Sequence, residues 1–513
     1  MKKNFTYLIG ICAILILSCN KDIVESNANL PTLSPSSLDL SASEWKPFIV
    51  TSATDFPIPA PSDINSETYQ AELKDLKAKS ENLTAEQRKI IDFWKVGSVL
   101  RWNEIMRELV AKHNIPPYQN EDGTYPAPNA NNPFSYPIFP FSNPPYAARA
   151  YAYVSVAQYD ALIMAWKFKK QYNRPAPYNI DGSISVSIPK SELPSYPSED
   201  AVIAGASVEL MKLLFPADVD YITKMAEDEK NYRIWSGANV KSDLAAGDSL
   251  GRWVARKIIQ RAKTDGMGAS GGNQAVWTKL EEDCKAKGET PWISLESPKR
   301  PPMLPLFGNV KPLLFDASII PSLRPGPPPS ANSEKMRKEL DEILDYTKNP
   351  SRERMRIVNF WADGVATSTP PGHWNAIATV EFVKNNYSEI RFARNYALLN
   401  SAMMDAAIAC WDTKFYYFNP RPSQLDPRIK TLTGVPNFPS YISGHATFSS
   451  AASKILGFLL PQRAKDFDEM ALEASNSRMY GGIHYRADCD GGFEVGEKIG
   501  SYAINRAKSD GSN

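Results

Sequence analysis

Lys414 and Asp488 bracket three polar clusters: KFYYFNPRP (414–422), FPSYISGHATF (438–448) and SRMYGGIHYRADCDGG (477–492). Lys414, Arg421 and Arg478 supply positive charge, and the guanidinium forks match the oxygens of a tetrahedral or trigonal oxyanion. SGH precedes ATFSSAASKILGFLL, in which Phe448, Ala452, Ile455, Leu456 and Leu459 keep one helical face, so Ser443 and Gly444 sit where a helix begins. Free N–H groups at such a terminus bind phosphate-like anions; Gly444 lets the main chain approach closely and Ser443 adds a hydroxyl. His445, just inside the same turn, can hydrogen-bond an apical oxygen and move a proton. His484 and Asp488 are four apart, on one face if the segment is helical, which suits a carboxylate that orients an imidazole and raises the basicity of its other nitrogen. Such an imidazole serves as nucleophile or as axial ligand, because both roles use the same lone pair. Taken singly, a Lys–Arg pair is a solvated face, SGH a helix cap and a buried histidine a satisfied core residue. Together, in a chain with only four histidines, they describe an oxyanion site.

In this order and spacing, "KxxxxxxRP", "SGH" and "SRxxxxxHxxxD" resemble the signature of the type 2 phosphatidic acid phosphatase and vanadium haloperoxidase superfamily. The middle motif, usually PSGH, reads ISGH here, with Ile442 in place of the proline. Upstream, FWADGVATSTPPGHWNAIA (360–378) and NPPYAARAYAYVSVAQYDA (143–161) look like the soluble haloperoxidase-related branch, so the resemblance runs from about residue 90 onward. It implies a mainly helical fold of two helix bundles. It implies vanadate as cofactor, its oxygens neutralised by Lys414, Arg421, Ser443, Gly444 and Arg478, with His484 as the axial ligand of the metal. It further implies that His445 assists proton movement, that Lys414 polarises bound peroxide, that Asp363 is the carboxylate holding Arg478, and that Trp411 and Phe438 line the halide side. His373, in PPGHWN, either faces the pocket or caps a helix, and His113 reads as surface or helix end. The activity implied is oxidation of halide by hydrogen peroxide. The alternative is an exported acid phosphatase using the same cradle for a phosphomonoester: His484 attacks phosphorus, His445 protonates the leaving alcohol and water releases phosphate. An oxyanion-binding lipoprotein without turnover is a third reading, and the complete histidine pair argues against it, since capture alone needs no general acid.

These clusters need a frame to bring them together. QRKIIDFWKVGSVLRWNEIMRELVAKH, AARAYAYVSVAQYDALIMAWKFKK, EDAVIAGASVELMKLLF, SDLAAGDSLGRWVARKIIQRAK and YALLNSAMMDAAIACWDTKFYYF carry apolar residues at three- and four-residue steps. The expected fold is therefore all-α, antiparallel helical bundles with long proline-rich loops. Residues 66–265 form an N-terminal helical part and 334–513 a C-terminal part carrying the oxyanion site. The irregular stretch 266–333 between them is a domain boundary or a loop covering one continuous core. No fixed-period repeat is evident, and no GKS or GxGxxG phosphate loop occurs.

The chain of 513 residues balances 58 Lys and Arg against 57 Asp and Glu, so no global field recruits nucleic acid and anion specificity must be local. The start, MKKNFTYLIGICAILILSCNKD, reads as an export signal (1–19) ending in a lipobox-like ILSC, with lipidation expected at Cys19 and residues 20–65 as a flexible tether. An exported, membrane-anchored bacterial lipoprotein, periplasmic or at the cell surface, is the expected localisation. Its partners are small molecules (peroxide and halide, or a phosphomonoester) and a membrane reached through the anchor. Cys284, Cys410 and Cys489 remain, without CxxC spacing, so zinc is disfavoured and one disulfide is possible.

Overall fold

Two alanine-rich segments become the longest helices because small side chains let neighbours approach from every side. The computed structural model describes residues 30–115, 144–297 and 299–512, and its regular structure is helical throughout. Helices of nine residues or more are α1 (Glu67–Ser80), α2 (Ala85–Trp94), α3 (Ser98–His113), α4 (Pro144–Tyr172), α5 (Glu199–Leu214), α6 (Val219–Trp235), α7 (Lys241–Lys263) and α8 (Gln274–Ala286), followed by α9 (Glu334–Lys348), α10 (Arg352–Phe360), α11 (Thr369–Lys384), α12 (Glu389–Tyr417), α13 (Gly444–Leu459), α14 (Ala464–Tyr480) and α15 (Arg486–Ser509). The 29-residue helices α4 and α12 pack on each other and are buried on nearly all faces. α4 carries a bundle with α5 and α7; α12 carries another with α13, α14 and α15. The all-α fold expected from periodicity is the fold observed, and no described helix is long and apolar enough to cross a membrane.

One hydrophobic core runs from Ala42 to Ala507 and through both bundles. The 266–333 stretch contributes to it with Phe307 and Val310, both fully buried, and is pinned to α12 by Asp405, whose carboxylate accepts from the Leu313 and Leu314 amides. Residues 42–58 depart from the expected tether. Trp45, Val50, Phe56 and Ile58 are buried, and Asp160 of α4 accepts from the amides of Phe48, Ile49 and Val50. Apolar anchors and a buried carboxylate hold this segment down, where a free linker would offer neither. The expected signal segment and Cys19 lie outside the described residues. Cys284, Cys410 and Cys489 are buried free thiols, so the possible disulfide is not formed.

The two bundles are copies. Asp160 and Asp405, Trp166 and Trp411, Lys169 and Lys414, SYPS (195–198) and SYIS (440–443), and Asp243 and Asp488 all keep one offset of 245 positions. The structure repeats with them. Tyr196–Pro197 and Tyr441–Ile442 are both cis, and Gly237 and Gly482 have φ of 74° and 78°. α5 and α13 are both 16 residues long, capped by Ser198 and Ser443. Ser198 N donates to Asp243 O as Ser443 N donates to Asp488 O. A single duplication with few identities leaves no periodic signal, which is why the sequence shows no repeat.

Candidate active site

Glycines bring the site's two helix starts together. A Cβ on Gly496 of α15 would lie 2.4 Å from Thr447 O, and one on Gly492 2.7 Å from Ser443 O, so α13 and α15 touch backbone to backbone. That contact sets the Ser443–His445 turn beside the start of α15. His484 precedes this helix: Tyr485 is the N-cap and Asp488 the N3 residue of a capping box. The expected common helical face is thus replaced by a cap, in which Asp488 Oδ2 takes the Tyr485 amide at 3.1 Å and His484 Nδ1 at 2.8 Å. The pairing fixes the tautomer: Nδ1 carries the proton, and the Nε2 lone pair faces Arg421 Nη1 at 3.0 Å.

α12 brings in the third segment. Lys414 lies in its last turn, Phe418 ends it in the left-handed region (φ 51°), and the chain turns back so that Arg421 is fully buried. Arg421 Nε donates to Phe438 O and Nη1 to Ile483 O, while Nη2 has no hydrogen-bond partner. Arg478, at the end of α14, donates to Ser477 Oγ and to Trp361 O. Lys414 differs from the expected contact with an oxyanion or peroxide. Its three N–H groups go to the carbonyls of Pro439, Ser440 and Ile442, because a buried ammonium must spend its donors on the nearest acceptors. In this arrangement it contributes charge, not a contact.

Burial and mutual repulsion shape the protonation states. Burial pushes Lys414 down to about 7 and Arg421 and Arg478 each to about 10. Burial, then the charges of Arg421, Lys414 and Arg478, hold His484 well below the usual imidazole value, so its lone pair is free of a proton. Burial, then Arg478, bring His445 to about 4. Burial raises Asp488 to about 6. A cluster of cations that burial makes uncomfortable is what an oxyanion would stabilise.

Asp363 was expected on Arg478; its hydrogen bond goes instead to His373 Nδ1 at 2.9 Å, and its Oδ2 lies 3.4 Å from His445 Nε2. Burial opposes ionisation there, but the two histidines outweigh it and hold this carboxyl below its usual range. Asp363, Ala366 and Thr369 have φ of 45°, 61° and 66°; such residues cost about 1–3 kcal/mol each and persist where surrounding structure enforces them. The loop therefore places the carboxylate between two imidazoles. His373, in α11, stacks on Trp361 at 4.5 Å and lies outside the cavity, neither lining it nor capping a helix. His113 ends α3 and pairs with Asp218.

A cavity of about 520 Å³ opens onto Gly444, His445, Arg478 and His484. Trp411 and Phe438 wall it, their rings 4.9 Å apart, and Phe438 lies 5.0 Å from the Arg421 guanidinium. Of the expected site residues, Asp363, Trp411, Phe438, Gly444, His445, Arg478 and His484 line this cavity; Asp488 reaches it through His484, Ser443 caps α13 next to Gly444, and Lys414 and Arg421 lie against Phe438, Arg421 also against His484.

Residues 395–506 match the family model described as PAP2 superfamily. The fold matches a solved bacterial vanadium-dependent iodoperoxidase at 23% identity and a TM-score of 0.58, covering 79% of this chain and 96% of that one. It also matches the holo form of a bacterial vanadium-dependent chloroperoxidase at 17% identity and a TM-score of 0.51, covering 76% and 97%. No curated protein sequence matches the chain. The family match thus falls on the C-terminal bundle that carries the candidate site, and the likeness to the two solved structures is one of fold.

The donor set of the C-terminal bundle fits a vanadate-sized oxyanion. Arg421 Nη2 is buried without a hydrogen-bond partner, and the neutral His484 imidazole stands beside the Arg421 guanidinium and near that of Arg478. Two contributors escaped the sequence reading. Ser440 Oγ donates to Asp488 Oδ2, and the Trp361 carbonyl orients Arg478. Ser440 lies inside FPSYISGH and is matched by Ser195 in the other copy, a signal visible only once the duplication is known; a backbone carbonyl leaves none.

Proposed function

We propose that the chain is a vanadium-dependent haloperoxidase-type enzyme that oxidises halide with hydrogen peroxide. The observation that carries the reading is the Trp411–Phe438 wall beside His484 and Arg478 in a single cavity: an apolar, aromatic lining suits a weakly hydrated halide next to a cationic cradle. The descriptions of the structures sharing the fold support it. Vanadate would be held by His484 Nε2, Arg421, Arg478, the Ser443 hydroxyl and the Gly444 amide, and bound there it supplies a Lewis-acidic centre that activates peroxide. Asp488 keeps the His484 proton on Nδ1. His445, neutral at physiological pH, accepts and returns a proton at the cavity, while Asp363 orients it. Lys414 adds charge from behind. The aromatic wall and the 520 Å³ cavity limit the water that competes for the site.

The PAP2-superfamily match favours a second reading, hydrolysis of a phosphomonoester at acidic pH, in which His484 Nε2 forms a bond to phosphorus as the P–O ester bond breaks and the leaving oxygen takes the proton that His445 carries there, and water, giving its proton back to His445, then breaks the P–N bond to release phosphate. One paired assay separates them: bromination of a phenolic dye by the vanadate-reconstituted protein with peroxide and bromide, beside p-nitrophenyl phosphate hydrolysis without vanadate. Bromination is expected. Robust hydrolysis with no bromination would reverse the order. Attachment of the exported chain to a membrane through Cys19 belongs to the same proposal, and palmitate labelling of wild type against Cys19→Ser tests it.

A further inference from the structure

The N-terminal bundle holds a cavity of about 330 Å³ on the residues that the 245-position offset pairs with the active site. Lys169, Ser198 and Arg233 stand for Lys414, Ser443 and Arg478. Their local bonding repeats: Lys169 Nζ donates to Pro194 O as Lys414 does to Pro439 O, and Ser198 Oγ accepts from Ala201 N as Ser443 Oγ does from Ala446 N. Asp243 takes the Val240 amide, the Asn239 amide group and the Ser195 hydroxyl, as Asp488 takes the Tyr485 amide, the His484 ring and the Ser440 hydroxyl.

Four positions differ in chemistry: Ala176, Glu199, Asp200 and Asn239 replace Arg421, Gly444, His445 and His484. The first turn of α5 therefore carries two carboxylates where α13 carries Gly-His. Glu199 Oε2 lies 3.7 Å from Lys169 Nζ, and Asp200 Oδ2 lies 3.2 Å from Arg233 Nε. Trp166 Nε1 and the Ser98 and Tyr232 hydroxyls fix these carboxylates in place. Glu199 and Asp200 thus meet the cations Lys169 and Arg233, beside Glu389, whose carboxyl burial and then Asp200 push up to about 8, whereas the C-terminal site sets three cations around a turn with no carboxylate.

We infer that this cavity is a second oxyanion cradle whose anion is supplied by the chain, Glu199 and Asp200 standing where a tetrahedral oxyanion would bind, and that removing these carboxylates opens it to phosphate, vanadate or tungstate. The inference rests on the reading of the C-terminal site as an oxyanion cradle. The two arginines differ in the same sense: burial depresses Arg478, while at Arg233 burial is the largest single effect but Asp200, Tyr232 and Tyr178 together overcome it and raise the guanidinium.

Equilibrium dialysis of the full chain against tungstate tests this. Wild type is expected to bind one equivalent, and Glu199→Gly/Asp200→His two. Glu199→Gln/Asp200→Asn keeps the shapes, removes the charges, and is expected to gain a tungstate-dependent rise in melting temperature above that of wild type. In an Arg421→Ala background, which weakens the C-terminal site, the gained equivalent should persist. If both variants fold by circular dichroism and neither binds tungstate beyond wild type, the inference is overturned; if the first fails to fold, the Gln/Asn variant decides alone. A wild type that binds none, beside a variant that gains one, would sink the reading of the C-terminal site and leave this inference standing.

Discussion

The two bundles share a backbone plan and differ in what faces the first turn of one helix. In the C-terminal copy, Gly444 and His445 leave Arg478 and Arg421 without a carboxylate partner; in the N-terminal copy, Glu199 and Asp200 neutralise Lys169 and Arg233. The duplicated frame, with its serine caps, glycine contacts and buried aspartates, is therefore structural in origin. Under the proposed function, the chemistry lies in four positions, Arg421, Gly444, His445 and His484, that replace a self-satisfied polar core by a cavity with an unmet demand for negative charge. A buried ionic group is worth little by itself when its partner is built in, and becomes a binding site when the partner must come from outside.

Breaking that contrast at its chemical centre should have the largest effect. His484→Ala removes the nitrogen that addresses the central atom, and turnover is expected to fall by about a thousandfold or more with the fold retained, checked by circular dichroism beside the activity assay. Importing the N-terminal solution, Gly444→Glu/His445→Asp, should abolish tungstate binding in dialysis while the melting temperature holds or rises. Arg421→Ala, which copies Ala176, should weaken oxyanion binding by about 2–5 kcal/mol, read by titration calorimetry. Acidity gives a smaller lever. Lys414 is charged below about 7 and neutral above it, so affinity for tungstate, a dianion throughout that range, should be full at lower pH and fall by up to about tenfold per unit above it. Affinity unchanged from about pH 6 to about pH 9 would contradict a role for the Lys414 charge. Smallest is Asp363→Asn, which should lower turnover about tenfold through loss of His445 orientation and leave tungstate affinity unchanged.

Much of this was legible in the sequence. The helical periodicity of AARAYAYVSVAQYDALIMAW and YALLNSAMMDAAIACW announced the two central helices, since packing faces must recur every three or four residues. SGH before an amphipathic run announced the helix start at Ser443, because a cap residue and a glycine have few other uses there. What stayed hidden depends on three-dimensional choice. His484 and Asp488 meet through a cap, not along a helix, and spacing alone does not separate the two. Lys414 turns to three carbonyls, and Asp363 to two histidines, because a buried side chain bonds to whatever the loop presents. Trp45 and Phe56 pack a segment that, read from composition, is linker. The duplication is visible as Asp160 and Asp405 or SYPS and SYIS only after the bundles are superposed in thought.

The most direct test is anomalous diffraction from crystals soaked in tungstate. The account predicts one strong peak within bonding reach of His484 Nε2, ringed by Arg421, Ser443, Gly444 and Arg478, and none beside Asn239. A peak elsewhere, or no peak at His484 with the soak at saturating concentration, would contradict it.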